Sequence, residues 1–199
     1  MLLAADESQL VLVDYQERLM PFIHERDAVL RNALRLGRVA QALQVPTWGT
    51  EENPAGLGGN PPEIRALCRK TLAKMHFSAC ADGLAQLLRA PARQPQAGNA
   101  RSLPKHLREA PAPERNSVVL AGCETHVCLM QTALDLLDEE FDVWVVTDAC
   151  GSRTERNRDA AFDRLAGAGA ELVTTEMVAF EWLRTAEHPL FREVLSLIK

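Results

Sequence analysis

The sequence lacks the features of a membrane or secreted protein. No apolar run approaches the roughly 20 residues that a membrane-spanning helix needs, so we expect no membrane partner. The amino-terminal residues include Asp6 and Glu7, where a signal peptide would be basic. The five cysteines are an odd number at irregular spacings, which fits reduced thiols better than a disulfide framework. Together these observations predict a cytoplasmic protein.

The sequence also has no surplus of positive charge and no phosphate-binding loop. It carries 22 basic and 27 acidic side chains, a net charge of −5, so nucleic acid is not expected as a partner. Neither GxGxxG nor GxxxxGK followed by Ser or Thr occurs, so nucleotide binding through such loops is not predicted. Cys123, His126 and Cys128 lie close together in the chain, but their spacing matches no zinc pattern. We expect no cofactor and no metal.

What the sequence does contain is a regular alternation of apolar strands and amphipathic helices. Apolar, β-branched runs predict strands at residues 9–13, 45–49, 117–120, 141–146 and 170–174. The alternation predicts an α/β fold, namely a three-layer α/β/α sandwich around a mainly parallel, Rossmann-like sheet of six strands. Residues 1–199 should form a single domain.

The helices and loops follow from spacing and from turn-forming residues. Apolar residues at helical spacing predict helices at residues 26–43, 63–73, 83–90, 158–168, 177–185 and 189–197. Proline and glycine punctuate residues 50–62, which predicts a loop, and residues 74–78 fit either a strand end or a turn. Residues at about 91–116 are rich in proline and poor in large apolar side chains, so we expect an insertion there, which is a solvated excursion, a lid or a subunit contact.

The stretch SVVLAGCETHVCLMQT, residues 117–132, places a cysteine where its thiol is expected to be reactive. A buried strand ends at Ala121 and Gly122, and helical spacing resumes at Val127, so Cys128 falls in the first turn of a helix. Free N–H groups and the helix dipole stabilise a thiolate at that position, and the thiolate is the nucleophilic form. The alternative is a small buried apolar residue, since free cysteine is among the most buried residue types.

Two further polar residues lie close to predicted strand ends. Asp14 directly follows the strand at residues 9–13, and Lys74 begins the ambiguous segment at residues 74–78. Ligands of open α/β sheets bind in the crevice beyond the carboxyl ends of the strands, where these side chains and Cys128 are expected to meet. Taken singly, Asp14 fits a turn cap and Lys74 fits a surface lysine equally well.

The segments around these three residues resemble a known superfamily. LVDYQ contains Asp14, KMHFSA contains Lys74, and GCETHVCLMQT contains Cys128, in the order found in the isochorismatase-like cysteine hydrolases. TEENPAGLG, TDACGSR and AGAELVTTEMVAFEWL resemble the isochorismatase-domain-containing branch of that superfamily. The resemblance covers nearly the whole chain outside residues 91–116.

The resemblance implies a catalytic triad of Asp14, Lys74 and Cys128 that hydrolyses its substrate through a covalent thioester. It also implies a cis peptide bond between Cys123 and Glu124, with the backbone N–H groups of Glu124 and Cys128 forming an oxyanion hole. His76 and His126 are expected to be structural, because the triad already supplies a base and a nucleophile. From strand ends and nearby loops, we expect the pocket to be lined by Tyr15, Gln16, Phe22, Trp48, Pro54, Leu57, Phe77 and Cys123.

Departures from the superfamily narrow the expected activity. Nicotinamidases of this kind carry a metal site with two histidines near the second strand, but residues 48–54 contain no histidine. Isochorismatases proper lack the cysteine and use the aspartate alone on a vinyl ether. The leading hypothesis is a metal-independent cysteine hydrolase of a small amide or related C–N bond, working as a homodimer or larger homo-oligomer. A vinyl ether hydrolase using Asp14 alone, and a thiol sensor or scaffold without turnover, remain as alternatives.

Overall fold

The computed structural model describes residues 2–89 and 115–199, so nearly all of the predicted insertion at about 91–116 lies outside the described residues. These residues contain six strands: β1 Ser8–Val13, β2 Thr47–Glu52, β3 Lys70–Lys74, β4 Ser117–Gly122, β5 Asp142–Val146 and β6 Glu171–Val173. The helices are α1 Arg26–Ala42, α2 Pro54–Leu57, α3 Pro62–Leu67, α4 Leu84–Arg89, α5 Met130–Asp138, α6 Glu155–Ala168, α7 Thr175–Leu183 and α8 Phe191–Ile198.

The six strands form one parallel sheet in the order β3-β2-β1-β4-β5-β6. This is the strand order of the doubly wound Rossmann fold. The order reverses direction between β1 and β4, which pair from Ser8 with Ser117 to Val13 with Gly122. A crevice therefore opens beyond the carboxyl ends of these two strands, where ligands bind in sheets of this kind.

Helices cover both faces of the sheet, because its central strands are apolar on both sides. Leu10 and Leu12 of β1 face a core shared with α1, α7 and α8, whereas Val11 and Val13 face a second core shared with α4, α5 and α6. All four side chains are fully buried. Successive strand residues point to opposite faces, so an uninterrupted apolar run fits only a strand that is covered on both sides. The predicted three-layer sandwich is confirmed.

The second and third strands differ from the sequence-based expectation. The strand β2 runs on to Glu52, through the first part of the predicted loop at residues 50–62, and β3 occupies the end of the helix predicted at residues 63–73. Both segments are polar and carry little strand propensity of their own. Their backbone hydrogen bonds come from strand pairing instead. The strand β2 pairs with β1 on one side and with β3 on the other. None of the helices in the described ranges combines the length and the apolar character that crossing a bilayer requires.

Candidate active site

Four strands deliver polar or reactive groups to one edge of the sheet. Asp14 directly follows β1, Glu52 and Lys74 are the last residues of β2 and β3, and Cys128 lies six residues beyond the end of β4. Glu52 and Lys74 are also direct partners in the parallel ladder. Because all of these strands are parallel, their carboxyl ends share one edge, and side chains distant in sequence converge there.

The ammonium group of Lys74 lies between two carboxylates. Its Nζ is 2.8 Å from Asp14 Oδ2 and 2.7 Å from Glu52 Oε2, and it also donates to the backbone oxygens of His76 and Phe77. The side chains of Lys74 and Asp14 have no exposed surface. Burial disfavours the charged form of Lys74, but its contacts with Asp14 and Glu52 outweigh that cost and raise the pKa of the lysine.

Asp14 is fixed on its other side by Thr50, whose hydroxyl donates to Asp14 Oδ1 at 2.7 Å. The backbone N–H of Asp14 donates to the Thr50 oxygen, which joins the end of β1 to β2. The residue has a φ of 51°, in the left-handed region that aspartate tolerates better than most residues. The turn lies at the end of β1, where the carboxylate contacts Thr50 and Lys74.

Cys128 lies in a π-helical turn, Thr125–Leu129, that precedes α5. Its Sγ, a carboxylate oxygen of Asp14 and one of Glu52 all lie within 4.8 Å of one another. The residue is 5% exposed, so access to the sulfur is narrow. Burial and the neighbouring Asp14 carboxylate raise the pKa of the Cys128 thiol, and the attraction of Lys74 offsets only part of that effect.

The resting sulfur is therefore a thiol, which corrects the sequence-based expectation of a stabilised thiolate. The expectation rested on helix N–H groups and the helix dipole. It could not include the two carboxylates beside Cys128, which destabilise a second negative charge. The sulfur becomes a thiolate only when its proton moves to a base.

The turn between β4 and the π-helical turn contains a cis peptide bond between Cys123 and Glu124. Within the described ranges, no group accepts a hydrogen bond from the Glu124 N–H. The Glu124 carboxylate is held by Arg153, which donates to it through its backbone N–H and its guanidinium group at 2.6–3.0 Å. Burial opposes ionisation of Glu124, but these hydrogen bonds prevail and lower its pKa. Glu124 is thus fixed as an anion whose side chain is turned to Arg153.

Glu52 was not among the predicted site residues, because residues 50–62 were expected to form a loop. Its backbone N–H donates to the Gln16 side chain at 2.8 Å, and the Gln16 amide donates to the Glu52 oxygen at 2.8 Å and the Gly58 oxygen at 2.6 Å. The Gln16 amide is therefore saturated by backbone groups, and it positions Glu52 rather than lining the pocket. The sequence signal that could have identified Glu52 is its position in TEENPAGLG, which directly follows the strand predicted at residues 45–49.

Besides Gln16, the structure contradicts three of the predicted pocket residues. Trp48 lies near the amino end of β2, where its indole N–H donates to Gln9, because the strand continues for four residues beyond it. The side chain of Cys123 packs against Met20 in the core on the α1 side, since its position alternates with that of Gly122. Tyr15 is fully buried and donates its hydroxyl hydrogen to the Ala149 oxygen.

The other predicted lining residues keep some exposure. Phe22 is 69% exposed and Phe77 is 53% exposed, whereas Pro54 and Leu57 in α2 are half-buried. Phe77 contacts the site through its backbone oxygen, which accepts from Lys74. These residues remain candidates for the rim of the pocket.

The histidines near the site have structural partners. His126 Nδ1 lies 3.0 Å from the Ser152 hydroxyl, and its Nε2 lies 3.3 Å from the Asn157 amide. The exposed His76 pairs with Asp82 at 3.1 Å. Neither ring contacts Cys128 in these interactions, which is consistent with the structural role expected for both.

Asp14, Glu52 and Cys128 together form a set of side chains that could ligate a metal ion. The cation position between the two carboxylates is, however, filled by the Lys74 ammonium, which contacts both of them. A metal ion would have to displace a buried, paired lysine from two charge-assisted hydrogen bonds. The donor set therefore does not fit a resident metal.

Comparisons with known proteins agree with this architecture. A sequence model of the isochorismatase domain matches residues 8–177. The isochorismatase domain-containing protein 2 of Bos taurus is 38% identical to this chain, over 96% of the chain and 83% of that protein. The structure of the MAR1 ribonuclease from Caenorhabditis elegans superposes with a TM-score of 0.83 at 29% identity, covering 100% of this chain and 92% of that one.

A second solved structure comes from Escherichia coli. The YcaC gene product, described as an octameric hydrolase of unknown specificity, has a TM-score of 0.78 and 27% identity, over 98% of this chain and 95% of that one. The matched domain spans all six strands of the sheet, and the sequence relatives share nearly the full length of the chain. The protein therefore belongs to the isochorismatase-like hydrolase family, in the branch of the isochorismatase domain-containing proteins.

Proposed function

We propose that the protein is a metal-independent cysteine hydrolase that cleaves a small amide or related C–N bond. The observation that carries this proposal is the convergence of three side chains at one sheet edge. A buried lysine lies 2.8 Å from the Asp14 carboxylate, and the Cys128 sulfur lies within 4.8 Å of that carboxylate. Membership of a hydrolase family supports the reaction type.

In the proposed mechanism Asp14 acts first as a general base. It takes the proton of the Cys128 thiol as the sulfur attacks the amide carbon, so that charge does not accumulate on the sulfur before attack. Lys74, which is buried and paired with both carboxylates, places a positive charge beside Asp14 and fixes the position of its carboxylate. The N–H groups of Glu124 and Cys128 would stabilise the oxyanion of the tetrahedral intermediate.

The second half of the reaction returns the proton. Asp14 protonates the leaving nitrogen, the C–N bond breaks, and an amine or ammonia departs from the thioester on Cys128. Water then attacks the thioester carbon with Asp14 again as base, which releases the carboxylic acid and restores the thiol. Each step uses only the described side chains and water.

Three other activities have less support. A vinyl ether hydrolase would have no use for the cysteine that lies beside Asp14. The MAR1 ribonuclease of Caenorhabditis elegans suggests RNA as a substrate, but two carboxylates beside the sulfur disfavour a phosphodiester. A thiol sensor without turnover keeps the same geometry, so an activity measurement must exclude it.

The proposal is tested by ammonia release from a panel of small aliphatic and aromatic amides. We expect turnover by the wild type, a loss of at least about a thousandfold in Cys128→Ser, and a loss of about 10²–10⁴-fold in Asp14→Asn. The control is Cys68→Ser, which changes a half-buried cysteine in the α3–β3 connection and should leave turnover unchanged. Turnover that survives in Cys128→Ser would reject the thiol mechanism, and no turnover of any amide would favour the sensor.

Self-association is part of the same proposal. The similar YcaC of Escherichia coli is an octamer. In this chain Phe22, Met75 and Phe77 are each more than half exposed, which is costly for side chains of that size unless another surface covers them. The expected arrangement is a homodimer or larger homo-oligomer.

A further inference from the structure

The site carries more negative charge than the proposed reaction needs. Asp14 and Glu52 contribute two carboxylates, Lys74 contributes one ammonium group, and the thiol is neutral at rest. Among residues 2–89 and 115–199, no other cationic side chain forms a salt bridge with either carboxylate. Two other buried acidic residues are paired separately, Glu51 with Arg65 and Glu124 with Arg153.

The two carboxylates differ in what they can reach. Asp14 is fully buried, with one oxygen bound by Thr50 and the other facing Lys74. The Glu52 side chain keeps 10% exposure and uses only Oε2 on Lys74. Its Oε1 accepts no hydrogen bond from the described part of the chain. Glu52 Oε1 is therefore the carboxylate oxygen that remains open to a bound molecule.

The backbone of Glu52 is held firmly, and its carboxylate is fixed through Oε2 on Lys74. The Gln16 amide bonds both the N–H and the oxygen of Glu52, and the following residue, Asn53, donates to the Lys74 oxygen at 2.8 Å. Two anchored strands thus hold a carboxylate that has one free acceptor and one oxygen within 4.8 Å of the Cys128 sulfur. A preorganised acceptor of this kind discriminates strongly between partners, because a group that cannot donate leaves it unpaired and desolvated.

We infer that Glu52 is a specificity-determining residue, which selects substrates that present N–H donors or positive charge beside the scissile carbon and rejects substrates that carry a carboxylate there. The inference rests on the proposed function for its reaction. It narrows the substrate class to neutral or cationic carboxamides, ureido compounds and amidines. Glu52 takes no part in making or breaking bonds and acts only through its charge and its free oxygen.

The charge preference can be measured at Cys128 without knowing the substrate. Iodoacetamide and iodoacetate alkylate the same sulfur and are close in size, but only iodoacetate is an anion. The ratio of their alkylation rates, followed by mass spectrometry of the peptide that contains Cys128, cancels differences in the amount of thiolate. Dividing by the same ratio for free 2-mercaptoethanol removes the intrinsic reactivity of the two reagents.

In the wild type, we expect the iodoacetamide-to-iodoacetate rate ratio at Cys128 to exceed that of 2-mercaptoethanol by about tenfold or more. The reason is that the carboxylate of iodoacetate must approach that of Glu52. Glu52→Gln keeps the shape and the hydrogen bond to Lys74 but removes the charge, so the preference should fall by about tenfold. Glu52→Asp retains the charge and should keep most of the preference. Glu171→Gln, an exposed change at the opposite end of the sheet, should not alter it.

Two results would overturn the inference. One is a wild-type ratio equal to that of 2-mercaptoethanol, and the other is a Glu52→Gln ratio equal to that of the wild type. Neither result depends on turnover, so the two proposals fail separately. An amide panel without ammonia release would reject the hydrolase, and an unchanged alkylation ratio would reject the role of Glu52.

Discussion

At the scale of single residues, the site depends on the ammonium group of Lys74. It is buried with two carboxylates, and an ion pair removed from water is strongly destabilising when one partner is lost. Sequence alone could place Asp14 at a strand end, since an apolar run stops there. It could not show that Lys74 is buried, because a lysine after a polar segment is exposed in most proteins.

Replacing this lysine should destabilise the protein as well as inactivate it. Lys74→Met leaves Asp14 and Glu52 facing each other without a cation, so we expect the free energy of unfolding at pH 7 to fall by about 3–5 kcal/mol. Urea denaturation at pH 7 measures the effect.

The matched control is Lys70→Met, which makes the same change at the exposed start of the same strand. It should change the free energy of unfolding by no more than about 0.5 kcal/mol. A Lys74→Met protein as stable as the wild type at pH 7 would show that the two carboxylates do not depend on this ion pair.

At the scale of secondary-structure elements, the site depends on how closely β1 and β4 approach. Gly122 ends β4 opposite Val13, and a Cβ atom at Gly122 would lie 2.3 Å from the Val13 backbone oxygen. No side chain fits there. The absence of a side chain lets β4 approach the strand that carries Asp14, and the chain then turns toward Cys128.

Gly122→Ala should therefore separate the two central strands. We expect a loss of about 3 kcal/mol or more in unfolding free energy and a fall in amide turnover, because backbone atoms rather than a flexible side chain must move. Gly167→Ala is the control, since nothing lies within 4 Å of its Cβ position in α6. That change should be neutral or stabilising by up to about 1 kcal/mol. Equal stability of both variants in urea would contradict the close approach.

The elements that sequence predicted well are those whose pattern arises from burial. The run QLVLV forms the core of β1 and is buried on both faces. The segments TEE and KTLAK, by contrast, form the site end of β2 and the whole of β3 without an apolar pattern. Their structure depends on pairing with neighbouring strands, which a local pattern does not encode. Glu52 was missed for the same reason.

At the scale of the whole molecule, the sequence predicted the layered sheet and the convergence of strand ends, but not the electrostatic balance there. The triad residues were predicted from motifs, and the structure adds a second carboxylate that makes the site acidic. Cys128 is accordingly a thiol at rest, and so are the more deeply buried Cys123 and Cys150. Burial raises the pKa of Cys150 to about 12 and raises that of Cys123 well above its usual value.

The buried thiols should make the protein unstable in alkali. A thiol whose pKa is raised in the folded state contributes stability below the unfolded pKa, here 9.0, and that contribution is lost as the pH rises towards the folded value. Each such thiol lowers the free energy of unfolding by up to about 1.4 kcal/mol per pH unit between pH 9 and 12. Urea midpoints at pH 8, 9, 10 and 11 should therefore fall steeply. Cys150→Ala removes one buried thiol, so its urea midpoint should fall less steeply with pH than that of the wild type. Midpoints that stay level from pH 8 to 11 would mean that the native thiols ionise as easily as those of the unfolded chain.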